Sequence, residues 1–247
     1  MSLEGKVALV TGSGRNIGRA IALALAQNGA DVVVNARRNR QEAESVAAEV
    51  GELGRRSVAL LADVGDRHQL EGMLQKALAE FGRIDIVVNN AAARPHQPFA
   101  QMTYEDWRAI LATDLDSAFL TTRAALPGML ERQWGRVINL SGLQAFQGRH
   151  GGAHISAAKV GLIGLTRALS TELAPKGILV NCIVPGMIDT VREGAPATRT
   201  SGRLGDIPAG RMGRPEDIAS LCAYLCSEAA GFLTGQTIHV NGGERGF

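Results

Sequence analysis

The chain has 247 residues, of which 45% are hydrophobic, 20% charged and 4% aromatic, and its formal net charge is +2. This length and balance describe one globular domain with a sizeable core and exclude collagen-like, disordered and membrane-spanning classes, since no apolar run approaches the roughly 20 residues that a spanning helix needs. The 22 Arg and 4 Lys are scattered, and with so few aromatics to stack on bases the composition argues against a nucleic-acid partner.

The N-terminal Met1–Lys6 segment leads into an apolar stretch of four residues, too short for a signal peptide, so a cytoplasmic chain is expected. A strand is then expected over Val7–Val10, a helix over Arg19–Asn28, a strand over Val32–Val34 and a helix over Gln41–Leu53. Next come a strand over Val58–Leu61, a helix over Gln69–Phe81, a strand over Ile84–Val88 and one long helix over Tyr104–Arg132. The series closes with a strand over Val137–Leu140, a helix over Ala157–Leu173, a strand over Ile178–Val184, a helix over Pro215–Ser227 and a strand over Thr237–Val240. Near-continuous Val, Ile and Leu in most of the strands implies burial on both faces. Gly29, Gly54, Gly82 and Gly177 stand where helices should stop. The expected fold is therefore α/β: a single-domain, Rossmann-like doubly wound parallel sheet over residues 1–247, of about seven strands with helices on both faces. One stretch, Gly186–Gly213, has neither period and follows a strand directly, so it is expected to form a substrate lid.

Cys182, Cys222 and Cys226 form no CxxC pair and no cluster with histidine, so neither a disulfide framework nor a metal site is expected. After the first strand, Thr11-Gly12-Ser13-Gly14-Arg15-Asn16-Ile17-Gly18 runs straight into a helix. Glycines there permit a tight turn and a close approach to a pyrophosphate at the helix N-terminus. The spacing is wider than GxGxxG, and no Gly-Lys-Ser/Thr follows that would make it a Walker loop.

Eight segments, in order and over essentially the whole length, resemble the short-chain dehydrogenase/reductase family, nearest in character to its 3-oxoacyl-carrier-protein reductase branch. They are Thr11–Gly18, Asp63-Val64, Asn89–Ala92, Asn139–Ser141, Lys159, Asn181–Thr190 with Pro185-Gly186, Arg214–Asp217, and Leu233–Gln236 leading to Val240–Gly243. The resemblance implies a pyrophosphate held by Gly12, Ser13, Gly14, Arg15, Asn16, Ile17 and Gly18, where Asn16 replaces a common glycine and tolerates a left-handed backbone. It implies adenine against Asp63 and Val64, the adenosine-side ribose near Asn90 and Ala91, and the nicotinamide near Pro185, Gly186, Ile188 and Thr190, with Lys159 on its ribose. It also implies a homotetramer acting on a small molecule. Where NAD-preferring relatives carry an aspartate, this chain has Ala36 followed by Arg37 and Arg38, with Arg15 approaching from the glycine loop. A 2′-phosphate needs cations and is repelled by carboxylate, so NADP(H) is the expected cofactor ahead of NAD(H).

The family's carbonyl chemistry uses a tyrosine acid, a lysine, a serine and an asparagine. Of these only Lys159 is present: Ile155 stands at the tyrosine position, Gly142 at the serine position and Asp114 at the asparagine position. The two tyrosines, Tyr104 and Tyr224, lie too far along the chain to stand beside Lys159. Losing a general acid costs about 10²–10⁴-fold. The candidate catalytic groups are thus Lys159, with His154 and Asp114 as replacement acids, and Ser141, which as a strand neighbour of Gly142 should face the other way. Segments Arg94–Pro98 and Leu143–His150 should line the pocket, and their Arg and His suit a polar or anionic substrate. Three functions remain open: an oxidoreductase with an unusual proton donor, a non-redox enzyme on the same fold, and a silent cofactor-binding partner in a mixed oligomer.

Overall fold

Seven strands pair edge to edge, all parallel, in the order β3-β2-β1-β4-β5-β6-β7. They are β1 (Val7–Val10), β2 (Asp31–Ala36), β3 (Ser57–Leu61), β4 (Ile86–Asn89), β5 (Gly135–Leu140), β6 (Ile178–Pro185) and β7 (Thr237–Val240). The structure is a computed structural model and describes residues 2–190 and 204–245.

Alternation along each strand divides the core into two layers. Ala8 and Val10, Val32 and Val34, Ile86 and Val88, and Ile138 face the layer covered by α1 (Asn16–Gln27), α2 (Arg40–Glu52) and α8 (Pro215–Cys226). Val7 and Leu9, Val33, Val87, Val137 and Val180 face the layer covered by α3 (Arg67–Phe81), α5 (Ser117–Arg132) and α7 (Ala153–Leu173). Continuous apolar strands are what such two-sided burial requires. Cys222 and Cys226 are fully buried in the first of these layers. The strand order reverses between β1 and β4, which opens a crevice beyond their carboxyl ends.

Two expectations differ from the structure. The long helix over Tyr104–Arg132 is broken into α4 (Tyr104–Leu111), a π turn (Ala112–Asp116) and α5. A short helix, α6 (Gln144–Gln147), forms where a loop was expected. The lid expected over Gly186–Gly213 falls in large part on residues 191–203, which lie outside the described residues. Its two ends are tied together, with Ile188 bridged to Gly213, Asp189 N–H donating to the Gly213 carbonyl at 2.8 Å and Gly213 N–H donating to the Met187 carbonyl at 2.9 Å. Among the described residues no helix is long and apolar enough to cross a membrane.

Candidate active site

Residues 11–15 carry the chain from β1 into α1, and two asparagine-centred clamps fix their path. On one side the Ser13 hydroxyl donates to the Val10 carbonyl at 2.7 Å and accepts the Asn35 N–H at 3.0 Å. Asn35 Oδ1 accepts the Gly12 N–H at 3.0 Å, while its Nδ2 donates to the Leu60 and Ala62 carbonyls at 3.3 and 3.2 Å. On the other side Asn90 Nδ2 donates to the Thr11 and Gly12 carbonyls at 2.9 and 3.0 Å. The Thr11 hydroxyl accepts the N–H groups of Asn90 and Ala91, both at 3.0 Å. Asn90, expected from the sequence to contact a ribose, locks the loop to the end of β4.

The loop's shape needs its small residues. A Cβ added at Gly18 would collide with the Gly12 carbonyl and stand 2.6 Å from Asn90 Nδ2. Asn16 takes the left-handed conformation, with φ of 53°. Helix α1 then begins with no side-chain cap and no acidic residue in its first turn, whereas α2, α3 and α4 are capped by Asn39, Asp66 and Thr103. A helix end left open beside a glycine cradle fits an anionic pyrophosphate.

At the end of β2 Ala36 is buried, and Arg37 and Arg38 beyond it are exposed. Arg15 is exposed as well, and its guanidinium lies 3.9 Å from the Glu42 carboxylate. A groove of about 280 Å³ runs here, lined by Gly14, Arg19, Asn39 and Glu42 among others. Asp63 Oδ1 accepts the Gly65 N–H at 2.9 Å, which holds the turn after β3, and Val64 is buried behind it. At the far end of the crevice Gly186 N–H donates to the Val240 carbonyl at 2.9 Å, Pro185 closes β6, Ile188 is buried and Thr190 is half-buried.

Between these ends lies a buried ion pair. Lys159 Nζ on α7 stands 3.2 Å from Asp114 Oδ2 and donates to the Leu140 carbonyl, at the end of β5, at 3.1 Å. Asp114 Oδ1 accepts the Ala93 N–H at 2.8 Å. Asp114 sits within the π turn, an irregularity that often marks functional positions in helices. Burial pushes the Lys159 pKa below its ordinary 10.5; the Asp114 carboxylate opposes that fall and the Arg94 charge adds to it.

The other candidates are arranged less favourably for chemistry. The Ser141 hydroxyl is buried and donates to the Lys159 main-chain carbonyl at 2.9 Å, so it braces α7 rather than serving as a free hydroxyl. His154 is buried, and its Nδ1 accepts the Ile155 N–H at 3.0 Å, which leaves the ring proton on Nε2, where no hydrogen-bond partner is present. Burial lowers its pKa from 6.5, so the ring is neutral at neutral pH rather than the imidazolium that acid catalysis would use. Ile155 packs with Ile110 and Ala158, against Ala93, Leu111 and Leu115. Tyr104 is 70% exposed at the start of α4, and Tyr224 Oη donates to the Ala229 carbonyl at 3.4 Å, so neither phenol serves this site.

The Enoyl-(Acyl carrier protein) reductase family model matches residues 12–244. The 3-oxoacyl-[acyl-carrier-protein] reductase of Escherichia coli K12 is 39% identical over 244 residues, covering 98% of each chain. The chain belongs to the short-chain dehydrogenase/reductase family. Two solved structures agree with this. A putative short-chain alcohol dehydrogenase from Sinorhizobium meliloti 1021 superposes with a TM-score of 0.92 at 37% identity, covering 98% of this chain and 97% of that one. Acetoin dehydrogenase YohF from Salmonella typhimurium superposes with a TM-score of 0.89 at 35% identity, covering 96% and 95%. As a member of this family the protein is an oxidoreductase with the doubly wound fold expected of it.

Two features of this site carry little signal in the sequence. Asn35 continues an apolar strand by one residue, and a lone polar residue there looks like a strand end. The π turn is hidden because Ile110, Leu111 and Leu115 keep a plausible helical spacing across it.

Proposed function

We propose that this short-chain dehydrogenase/reductase binds NADP(H) and interconverts a carbonyl and an alcohol on a small molecule, with the Lys159 ammonium as proton donor in place of the missing phenol. The reading rests on the buried Lys159–Asp114 pair, 3.2 Å apart at the carboxyl end of β5. A lysine whose pKa is lowered by burial gives up its proton more readily than an exposed one, and Asp114 keeps it protonated until it is needed. Bound NADPH would supply the hydride for the carbonyl carbon, and Lys159 would supply the proton for the carbonyl oxygen. Ile155, one turn before Lys159 on α7, packs with Ala158 and Leu115, the chain neighbours of Lys159 and Asp114.

The glycine cradle, with its two asparagine clamps and the open end of α1, suits a pyrophosphate. Arg15, Arg37 and Arg38, with Ala36 where a carboxylate would repel, suit a 2′-phosphate. A 3-oxoacyl reductase and an acetoin dehydrogenase among the similar proteins both imply a carbonyl as the reacting group. A homotetramer accompanies this reading: Phe119 on α5 and Val160 on α7 are 47% and 49% exposed, and such apolar groups on the long helices suit a covered face.

The test is a titration with NADPH followed by turnover across a panel of activated ketones, with Lys159→Met alongside the parent. Binding of NADPH, with turnover in the parent that falls at least 10²-fold in Lys159→Met, is expected. Turnover that survives the substitution would remove Lys159 as the donor. Tight binding with no turnover on any ketone would favour a non-redox role.

A further inference from the structure

The loops after β4 and before α7 meet through two histidines that the reaction does not use. His96 Nε2 lies 3.3 Å from His150 Nδ1, with ring centroids 5.4 Å apart and planes tilted by 34°. The Gln97 N–H donates to the Gly151 carbonyl at 2.9 Å, so the backbone holds the two loops in register. Gly151 is necessary to this approach: a Cβ there would stand 2.6 Å from His96 Nε2, and the residue has φ of 64°. Both histidines are exposed to solvent, so an ion can reach them.

We propose that His96 and His150 form a zinc-class metal site that clips the two loops together. Two imidazole nitrogens on a tetrahedral zinc, each at about 2.0–2.1 Å, stand about 3.3–3.4 Å from one another. The observed spacing therefore matches one edge of the coordination tetrahedron, and a turn of the two exposed rings lets a metal replace the present hydrogen bond. The facing atoms, Nε2 on one ring and Nδ1 on the other, are both proper ligands for a borderline-soft cation. No third His, Cys, Asp or Glu joins them among the described residues. The site thus offers two protein ligands and leaves the remaining positions to water or to an oxygen-bearing small molecule, which implies modest affinity and ready exchange. It does not depend on the proton donor assigned above.

The experiment is calorimetric titration of ZnCl₂ into the full chain in a non-chelating buffer, without cofactor or substrate. One zinc per chain is expected, with Kd on the order of 10 µM for a two-ligand site. His96→Gln and His150→Gln should each weaken it at least tenfold, while His68→Gln, on the exposed start of α3, should leave it unchanged. Gly151→Ala retains both imidazoles but intrudes on the His96 ring, so it too should weaken zinc at least tenfold. Far-UV circular dichroism on each variant separates lost ligands from lost fold. Absence of binding below 1 mM, or binding indifferent to His96→Gln and His150→Gln, would overturn the proposal. So would a full-strength site in Gly151→Ala.

Discussion

Replacing Asp114 by asparagine tests the central pair most directly, because the substitution removes a charge and almost no volume. Asparagine can still accept the Ala93 N–H through Oδ1, and Lys159 retains the Leu140 carbonyl at 3.1 Å. What is lost is the compensation of a buried ammonium, which costs about 3–5 kcal/mol when a partner is removed. Lysine can escape by shedding its proton. Starting from 10.5, that route costs about 5 kcal/mol at pH 7, at 1.36 kcal/mol per pH unit, so it does not undercut the estimate by much. We expect a loss of about 3 kcal/mol at pH 7, a large part of the 5–15 kcal/mol typical of a domain. The pH dependence has a definite sign. Since burial holds the folded-state pKa of Lys159 below 10.5, the unfolded chain binds more protons between the lowered value and 10.5, and stability rises with pH across that window. Removing Asp114 lowers the folded-state value further, so in Asp114→Asn the rise is larger and starts at lower pH. Urea unfolding followed by circular dichroism and tryptophan fluorescence at pH 7 and 9.5, at fixed protein concentration, measures both effects. Adding Lys159→Met should recover at least half of the loss. A loss below about 1 kcal/mol at pH 7 that does not narrow by pH 9.5 would refute the pair as a buried, mutually dependent unit.

Other outcomes follow from the same geometry. NADPH should bind at least tenfold more tightly than NADH, about 1.4 kcal/mol, and Ala36→Asp should reverse that order; equal affinities in a fluorescence titration would count against the 2′-phosphate reading. Glu42→Gln releases Arg15 from a carboxylate 3.9 Å away, and should tighten NADPH by up to about fivefold with little effect on NADH. Asn35→Ala removes the clamp on Gly12 and leaves buried partners unsatisfied, so it should cost about 1–3 kcal/mol in urea unfolding and weaken cofactor binding at the same time. Gly142→Ser with Ile155→Tyr should raise ketone reduction by about 10² or more; the new serine needs only the Gln144 side chain to move, since its Oε1 would lie 2.8 Å from the added Cβ. No gain in a variant that folds and binds NADPH would mean that the pocket no longer seats a ketone over the cofactor.

The sheet was legible because its signal is local and redundant: each strand carries its own apolar run, and β1 and β7 fall on the expected residues. The glycine loop was legible for a different reason, since close backbone approaches admit few residue types. The candidate site was only half legible. The family resemblance points to Ile155, Gly142 and Asp114 by position, yet the direction in which Asp114 points depends on a π turn with no composition of its own. Ser141 and Lys159 are neighbours only in space, so the bond between hydroxyl and main-chain carbonyl could not be read from spacing. His154 shows the same limit: beside the vacant tyrosine position it looks like a replacement acid, and burial makes it a neutral ring.

The π turn at Ala112–Asp116 also makes this part of the molecule sensitive to chain length rather than to side-chain chemistry. A wide turn holds one residue more than a regular helix needs, and each residue in a regular helix accounts for about 100° of rotation and 1.5 Å of rise. Deleting Thr113 alone would let the segment rewind, carrying the carboxylate at Asp114 about a quarter-turn away from Lys159 while every remaining side chain kept its identity. A one-codon deletion there is a more thorough disruption of the site than many substitutions, and the matching insertion in a relative with an unbroken helix would be a route by which such a turn arises.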